Sequence, residues 1–205
     1  SLGLVGSEMC IRDSDKDLAV CVKPVGLDSE AQVPAELKKT LGGEIFPVHR
    51  LDRNVGGVMV YARTKQAAAA LSKAVQDGAM VKEYVAMVHG LPPESGDWED
   101  LLWKDSRKNK VYVVKRERSG VKKARLEFTR LSAGECSLVR IRLHTGRSHQ
   151  IRVQFASRGY PLVGDHKYGS RDERTDPMLF SCCIRFPWRG EQCRFEAMPD
   201  FGENP

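Results

Sequence analysis

The chain has 205 residues, of which 41% are hydrophobic and 29% are charged, a composition typical of a globular protein. A formal net charge of +6 favours a polyanionic partner such as nucleic acid. No apolar run approaches the ~18 residues of a membrane-spanning helix, so we expect no membrane association. The six cysteines show neither a C-x-x-C pair nor zinc-binding spacing, which favours a reducing, cytoplasmic setting.

The first fourteen residues, SLGLVGSEMCIRDS, lack the basic region and long apolar core of a signal peptide. They resemble translated adaptor sequence, so we expect residues 1–14 to be non-native or a disordered tail. An ordinary mobile terminus is the alternative. Residues 15–205 are then expected to form a single domain, which is long enough to bury a real core.

Apolar periodicity and chain-breaking residues define the regular elements. The prediction comprises strands at 17–23 and 56–62, helices at 34–41 and 64–76, a strand at 80–89, an antiparallel pair at 123–131 and 136–143, a helix at 148–157, and closing strands at 178–186 and 193–198. Strands outnumber helices and mostly follow one another directly. The sequence therefore predicts an α+β fold, with a large, mostly antiparallel mixed β-sheet and flanking helices.

Three stretches carry side chains suited to chemistry. In the first, Asp52 lies between Arg50 and Arg53 just before a buried strand, and two guanidiniums favour the ionised form that a base or nucleophile needs. The alternative is an ordinary surface ion pair. The second stretch contains Tyr84 on a strand, where a core role is the alternative. The third is a loop at 144–152 whose cations and backbone N–H groups suit a phosphate or a carboxylate.

A strongly basic run at 104–118 encloses a short β stretch, which predicts a basic hairpin. A solvated charged face is the alternative to a nucleic-acid contact there. His144 and His149 are five residues apart across a loop with no acidic residue beside them, which argues against a zinc site.

Together these motifs resemble the RluA family of RNA pseudouridine synthases. The resemblance is carried by HRLDR at 49–53 leading into GGVMVYA, by KEYVAMVHG at 82–90, by LHTGRSHQIR at 143–152, and by GDHKYG at 164–169. The motifs occur in family order over about 17–198. The chain departs from the usual pattern at 54–57 and at Gln154, where the family more often has histidine.

The resemblance implies a pseudouridine synthase catalytic-domain fold and isomerisation of specific uridines in rRNA or tRNA, with an essential aspartate and base flipping. It implies that Asp52 is the catalytic carboxylate, Tyr84 stacks on the uracil, and Arg147 pairs with Asp52, while Arg50 displaces the flipped base. The remaining expected RNA contacts are Arg53, His49, Lys82, Lys104, Arg107, Lys108, Lys110, His149 and Arg152. We expect no cofactor, no metal, no S4-like module, and a monomer.

Two other functions remain open at this point. One is a catalytically silent RNA-binding protein, which the intact Asp52, Tyr84 and Arg147 argue against. The other is a metal-dependent RNA hydrolase using His49, His144 and His149, which would lose activity to a chelator and would cut its substrate.

Overall fold

A computed structural model describes the backbone of residues 4–5 and all of residues 9–201. Its elements in chain order are β1 (Leu4–Val5), β2 (Met9–Ser14), β3 (Leu18–Lys23), α1 (Gln32–Leu41), β4 (Phe46–Pro47), β5 (Gly56–Ala62), α2 (Lys65–Gln76), β6 (Val81–His89), β7 (Ser95–Asp105), β8 (Lys110–Val114), β9 (Val121–Arg130), β10 (Cys136–Leu143), α3 (Gln150–Ala156), a 3-10 turn (His166–Tyr168), β11 (Leu179–Trp188) and β12 (Glu191–Glu196). The chain forms two compact units, residues 1–82 with 180–199 and residues 83–179 with 200–205. Whether they constitute the single catalytic domain expected from the sequence stays a prediction.

The first unit is built on β5, whose seven residues are all buried. Strands β3 and β4 pair with β5 antiparallel, whereas β11 pairs with it in parallel, and β12 continues the sheet antiparallel to β11. Helix α2 begins at the predicted cap, where the Thr64 hydroxyl accepts a hydrogen bond from the Ala67 N–H at 3.2 Å. Its apolar face, which includes Leu71, packs on Val58 and Val60 of β5.

The start of the chain corrects one expectation. Met9–Ser14 forms β2 and pairs antiparallel with β3, and the side chains of Met9 and Ile11 are each 1% exposed. Treating this segment as a disordered tail is therefore wrong for residues 9–14, because its alternating apolar side chains join the core. Its non-native origin stays a prediction, and residues 1–3 and 6–8 lie outside the described residues.

The second unit carries an antiparallel sheet in the order β6-β10-β9-β7-β8. Helix α3 covers one face of this sheet. The ring of Phe155 on α3 lies 4.7 Å from that of Trp98 on β7 and 5.2 Å from that of Phe128 on β9. The predicted α+β class with a mostly antiparallel sheet is thus confirmed. Separately, no helix among residues 9–201 is long and apolar enough to cross a membrane.

Candidate active site

Asp52 lies in the loop between β4 and β5, in the first unit. The Val55 N–H donates to the Asp52 carbonyl at 3.0 Å, which closes a tight turn. Arg53 joins this turn to the loop that follows β3. Its carbonyl accepts from the Gly26 N–H at 2.8 Å, and its Nε donates to the Gly26 carbonyl at 2.7 Å. The backbone on either side of Asp52 is therefore fixed.

Lys23 anchors the same loop from beneath and was not among the predicted site residues. Its side chain is fully buried, and Nζ donates to the carbonyls of Pro24, Leu27 and Arg53 at 2.8 to 3.1 Å. Burial lowers the pKa of Lys23 to about 8, although neighbouring carboxylates, Asp52 among them, act in the opposite direction. The sequence feature that could have indicated this role is a lysine at the end of an apolar strand, directly before Pro-x-Gly.

Ser29 and Tyr61 hold the residue before Asp52. The Ser29 hydroxyl donates to the Leu51 carbonyl at 2.9 Å and accepts from the Leu51 N–H at 3.2 Å. The buried Tyr61 hydroxyl donates to the Ser29 carbonyl at 2.8 Å, and burial raises the pKa of Tyr61. These bonds continue the support of the Asp52 loop into the core of the first unit.

His49 is a buried residue, and its contact with RNA stays a prediction. Its Nε2 accepts a hydrogen bond from the Val60 N–H at 3.1 Å. Burial, with a smaller effect from Lys82, lowers the pKa of His49 to about 3, so the ring is neutral at physiological pH. Its Nδ1 has no hydrogen-bond partner within residues 9–201. A neutral, enclosed imidazole offers no positive charge to a phosphate.

Arg50 and Lys82, also in the first unit, differ in exposure. The Arg50 side chain is 66% exposed and forms an ion pair with Glu30 at 3.0 Å, which is weak at such exposure. It can therefore turn toward a substrate at little cost. Lys82 is half-buried, and burial lowers its pKa. Contact of either residue with RNA stays a prediction.

Tyr84 belongs to the second unit and lies on β6, where it is 5% exposed. The preceding residue, Glu83, forms an ion pair with Arg140 on β10 at 3.0 Å between Oε2 and Nε. Alternation along the strand turns Tyr84 to the face opposite Glu83. Its stacking on a uracil stays a prediction.

The loop between β10 and α3 covers an open edge of β9. The pairing of β10 with β9 ends where Leu143 is opposite Leu126, whereas β9 begins at Val121. Within the described part of the chain, residues 121–125 of β9 therefore have no partner strand on this side. The His144 N–H donates to the Arg125 carbonyl at 3.1 Å, and the Arg125 N–H donates to the Thr145 hydroxyl at 2.9 Å. The loop thus satisfies backbone groups that no strand reaches.

Gln150, the first residue of α3, organises this loop and was not predicted to be functional. It is 3% exposed, and its Oε1 accepts from the Thr145 hydroxyl at 2.8 Å and from the Arg147 N–H at 3.0 Å. Its Nε2 donates to the Arg125 carbonyl at 3.0 Å. The exposed Arg147 side chain is itself held through Nε, which donates to the Lys123 carbonyl at 3.0 Å.

Arg152 is paired inside the second unit, and its contact with RNA stays a prediction. Its guanidinium donates two hydrogen bonds of 2.7 Å to Asp165, and the two side chains are 5% and 1% exposed. The charge is therefore neutralised inside the second unit, facing away from solvent. His149, next to it in the motif, has φ of 50° and lies with Nδ1 2.8 Å from the Tyr168 hydroxyl, so its contact with RNA stays a prediction.

The basic hairpin forms as β7 and β8. Lys104, Arg107 and Lys108 are exposed on it, and the Asp105 carboxylate accepts the backbone N–H groups of the turn. Lys110 is half-buried, with Nζ 5.4 Å from the centre of the Tyr168 ring. Contact of these cations with RNA phosphates stays a prediction.

The three histidines of the hydrolase alternative are engaged separately. His49 bonds the Val60 N–H, His144 lies 3.0 Å from Glu127, and His149 lies 2.8 Å from the Tyr168 hydroxyl. Within residues 9–201, no group of three or more His, Cys, Asp or Glu side chains is arranged to hold a metal ion. Asp52 belongs to the first unit, whereas Tyr84 and Arg147 belong to the second, so their joint action stays a prediction.

Comparison with known proteins gives a consistent result. A family model described as RNA pseudouridylate synthase matches residues 17–157. A relative from Chloroflexus aurantiacus, named an uncharacterized RNA pseudouridine synthase, is 42% identical over 135 residues, covering 64% of this chain and 42% of the relative. One from Aquifex aeolicus with the same name is 33% identical over 183 residues, covering 82% and 58%. The chain thus spans about half the length of the curated relatives it matches.

A solved structure shows the same fold. Human RNA Pseudouridylate Synthase Domain Containing 1 matches with a TM-score of 0.82 at 22% identity, covering 94% of this chain and 84% of that chain. At this identity the likeness concerns the fold alone. It confirms the predicted pseudouridine synthase fold.

Proposed function

The chain belongs to the RluA-type family of RNA pseudouridylate synthases, and from this premise we propose that it isomerises uridine to pseudouridine in RNA. The reaction breaks the bond between N1 and C1′ of uridine, rotates the uracil, and joins C5 to C1′. The proton leaves C5 and N1 gains one, so no electrons or groups are transferred. Side chains alone can supply this chemistry.

The observation that carries the proposal is the anchoring of the Asp52 loop. Lys23, Ser29 and Arg53 fix the backbone on both sides of Asp52 through hydrogen bonds. A carboxylate that attacks or deprotonates a ribose needs such a fixed position, because small misplacements cost large factors in rate. We assign Asp52 the role of the reacting carboxylate.

Tyr84 and Arg147 complete the proposed chemistry. The uridine must leave its stack before it reacts, at a cost of a few kcal/mol. Stacking on Tyr84 offsets part of this cost, and Arg50 fills the vacated space in the RNA. Arg147, whose loop is held by Gln150, supplies the guanidinium that pairs with the reacting carboxylate.

The proposed substrate is ribosomal or transfer RNA. Relatives include a ribosomal large subunit pseudouridine synthase D from Vibrio parahaemolyticus and a mitochondrial tRNA pseudouridine(32) synthase from Saccharomyces cerevisiae. The net charge of +6 suits such a partner. We further propose a cytoplasmic, monomeric protein that needs no cofactor.

Release of tritium from RNA labelled at C5 of uridine tests this function. The wild type should release tritium with and without a chelator and should leave the RNA length unchanged. Asp52→Asn should release none while keeping RNA affinity within a few-fold, because the carboxylate reacts and does not dock. Asp77→Asn, at an exposed helix end, serves as the matched control. Normal release by Asp52→Asn would refute the assignment.

A further inference from the structure

An aromatic pair lies on the outer face of the second unit's sheet, away from α3. Trp103 of β7 is directly opposite Tyr112 of β8, and their ring centres are 6.1 Å apart at 32°. Residues opposite one another in antiparallel strands project from the same face. Their neighbours Leu102 and Val111 point to the other face and pack in its core.

Cations surround this pair. The Arg118 guanidinium lies 4.8 Å from the centre of the Trp103 ring, and Lys110 Nζ lies 5.8 Å from that of Tyr112. Lys123 is exposed on β9, with Glu117 3.9 Å away as an equally exposed acidic neighbour. Both rings are half-exposed, so their surfaces remain partly accessible.

The other two tryptophans differ from Trp103 in their surroundings. Trp98 packs against Phe128 and Phe155 in the core of the second unit. Trp188 packs against the core of the first unit. Trp103 instead lies beside Tyr112 and the Arg118 guanidinium, and a Cβ at Gly120 would come within 3.8 Å of its ring. A half-exposed ring beside cations is the arrangement that stacks unpaired bases.

The pair also lies close to the anchor of Arg147. Arg147 Nε bonds the carbonyl of Lys123, and Val121, two residues earlier on β9, is opposite Trp103. With ~3.3 Å per residue along a strand and ~4.8 Å between strands, the backbones of Trp103 and Lys123 are roughly 8 Å apart. This is the length of about two or three stacked nucleotides.

We propose that Trp103 and Tyr112 form a stacking platform for unpaired bases of the RNA that flank the target uridine, while Arg118 and Lys123 contact the adjoining phosphates. The inference rests on the proposed function. It adds a recognition surface that reads single-stranded character next to the modified nucleotide. Sequence-independent stacking suits this task because every base has a π-face.

Two labelled probes separate stacking from charge. One is a twelve-residue oligouridylate, and the other is a ribose–phosphate oligomer of the same length without bases; binding is measured by fluorescence anisotropy. Trp103→Leu should weaken oligouridylate binding by about fivefold or more and should leave the abasic oligomer within about twofold. Lys123→Gln should weaken both probes and reduce the salt dependence of binding.

Further variants test whether the effect is specific to this face and whether each variant folds. Arg189→Gln removes the cation beside Trp188 in the first unit and should change neither affinity. Tyr112→Leu repeats the test with the second ring, and thermal unfolding of each variant shows whether it folds.

The proposal is overturned if the wild type binds no oligouridylate, or if Trp103→Leu affects both probes equally or neither. Self-association that Trp103→Leu abolishes in sedimentation would assign the face to a second copy instead. Binding requires no turnover. If Trp103→Leu loses affinity for the oligouridylate but not for the abasic oligomer, and the wild type releases no tritium, the proposed function is contradicted and the stacking platform is not.

Discussion

Removing the guanidinium of Arg152 should destabilise the second unit strongly. Arg152 and Asp165 are joined by two hydrogen bonds of 2.7 Å and are 5% and 1% exposed. Arg152→Met keeps the length of the side chain but leaves the Asp165 carboxylate buried without this partner. Breaking a buried pair on one side costs about 3–5 kcal/mol.

Replacing both residues of the pair shows how much of the loss comes from the unpaired Asp165 carboxylate. In Arg152→Met/Asp165→Leu both charges are absent, and apolar replacement of a buried pair is commonly neutral or stabilising. The double variant should therefore be more stable than Arg152→Met by about 3 kcal/mol. For a chain of this length, the single variant should lose about 6–20 °C in Tm.

Urea unfolding followed by tryptophan fluorescence measures these free energies, since Trp98 contacts Phe155 on the helix that carries Arg152. Arg158→Met is the matched control, because the ion pair of Arg158 with Asp100 is 28% and 13% exposed and should matter less. The reasoning would be refuted if Arg152→Met lost no more free energy of unfolding than Arg158→Met. It would also be refuted if the double variant lost as much as Arg152→Met and Asp165→Leu together.

Two further predictions concern the loops around the site. Because burial lowers the pKa of His49 from 6.5 to about 3, the unfolded chain binds a proton at this ring more readily than the folded chain. The contribution of neutral His49 to stability is therefore complete above pH 6.5 and is lost as the pH falls toward 3. In NMR titrations the His49 ring signal should stay constant from pH 8 to pH 5, and a midpoint near 6.5 would contradict its burial. Gln150→Ala should lower kcat about tenfold or more with oligouridylate affinity unchanged, because it releases the Arg147 loop. Gln154→Ala, equally buried on α3 but bonded to Trp98 and Asp100, is its control, and equal loss of kcat in both variants would remove Gln150 from a positioning role.

Local patterns predicted most of the regular elements. The alternating pair β9 and β10 and the Thr64 cap of α2 depend on residues close in sequence, so the pattern indicates them directly. The composition at 91–97 indicates a turn, yet β7 begins at Ser95 because pairing with β9 extends that far. Gly96 permits this extension, since a Cβ there would collide with the Phe128 ring.

The anchors of the candidate site were harder to predict than its motifs. A cation in a basic motif suggests a phosphate contact, and only the fold brings Asp165 to Arg152 or encloses His49 beside Val60. Lys23 supports the loop of Asp52 although the two residues are distant in sequence. Such pairings depend on tertiary structure, which overrides what a charged residue indicates by itself.

We propose that the protein isomerises uridine in RNA with Asp52 as the reacting carboxylate. Carbodiimide-based pseudouridine mapping tests it most directly, using total RNA from a host that lacks its own RluA-type enzymes and expresses either the wild type or Asp52→Asn. We expect at least one pseudouridine that is present with the wild type and absent with Asp52→Asn at equal protein levels. The same pseudouridines with both proteins would contradict it.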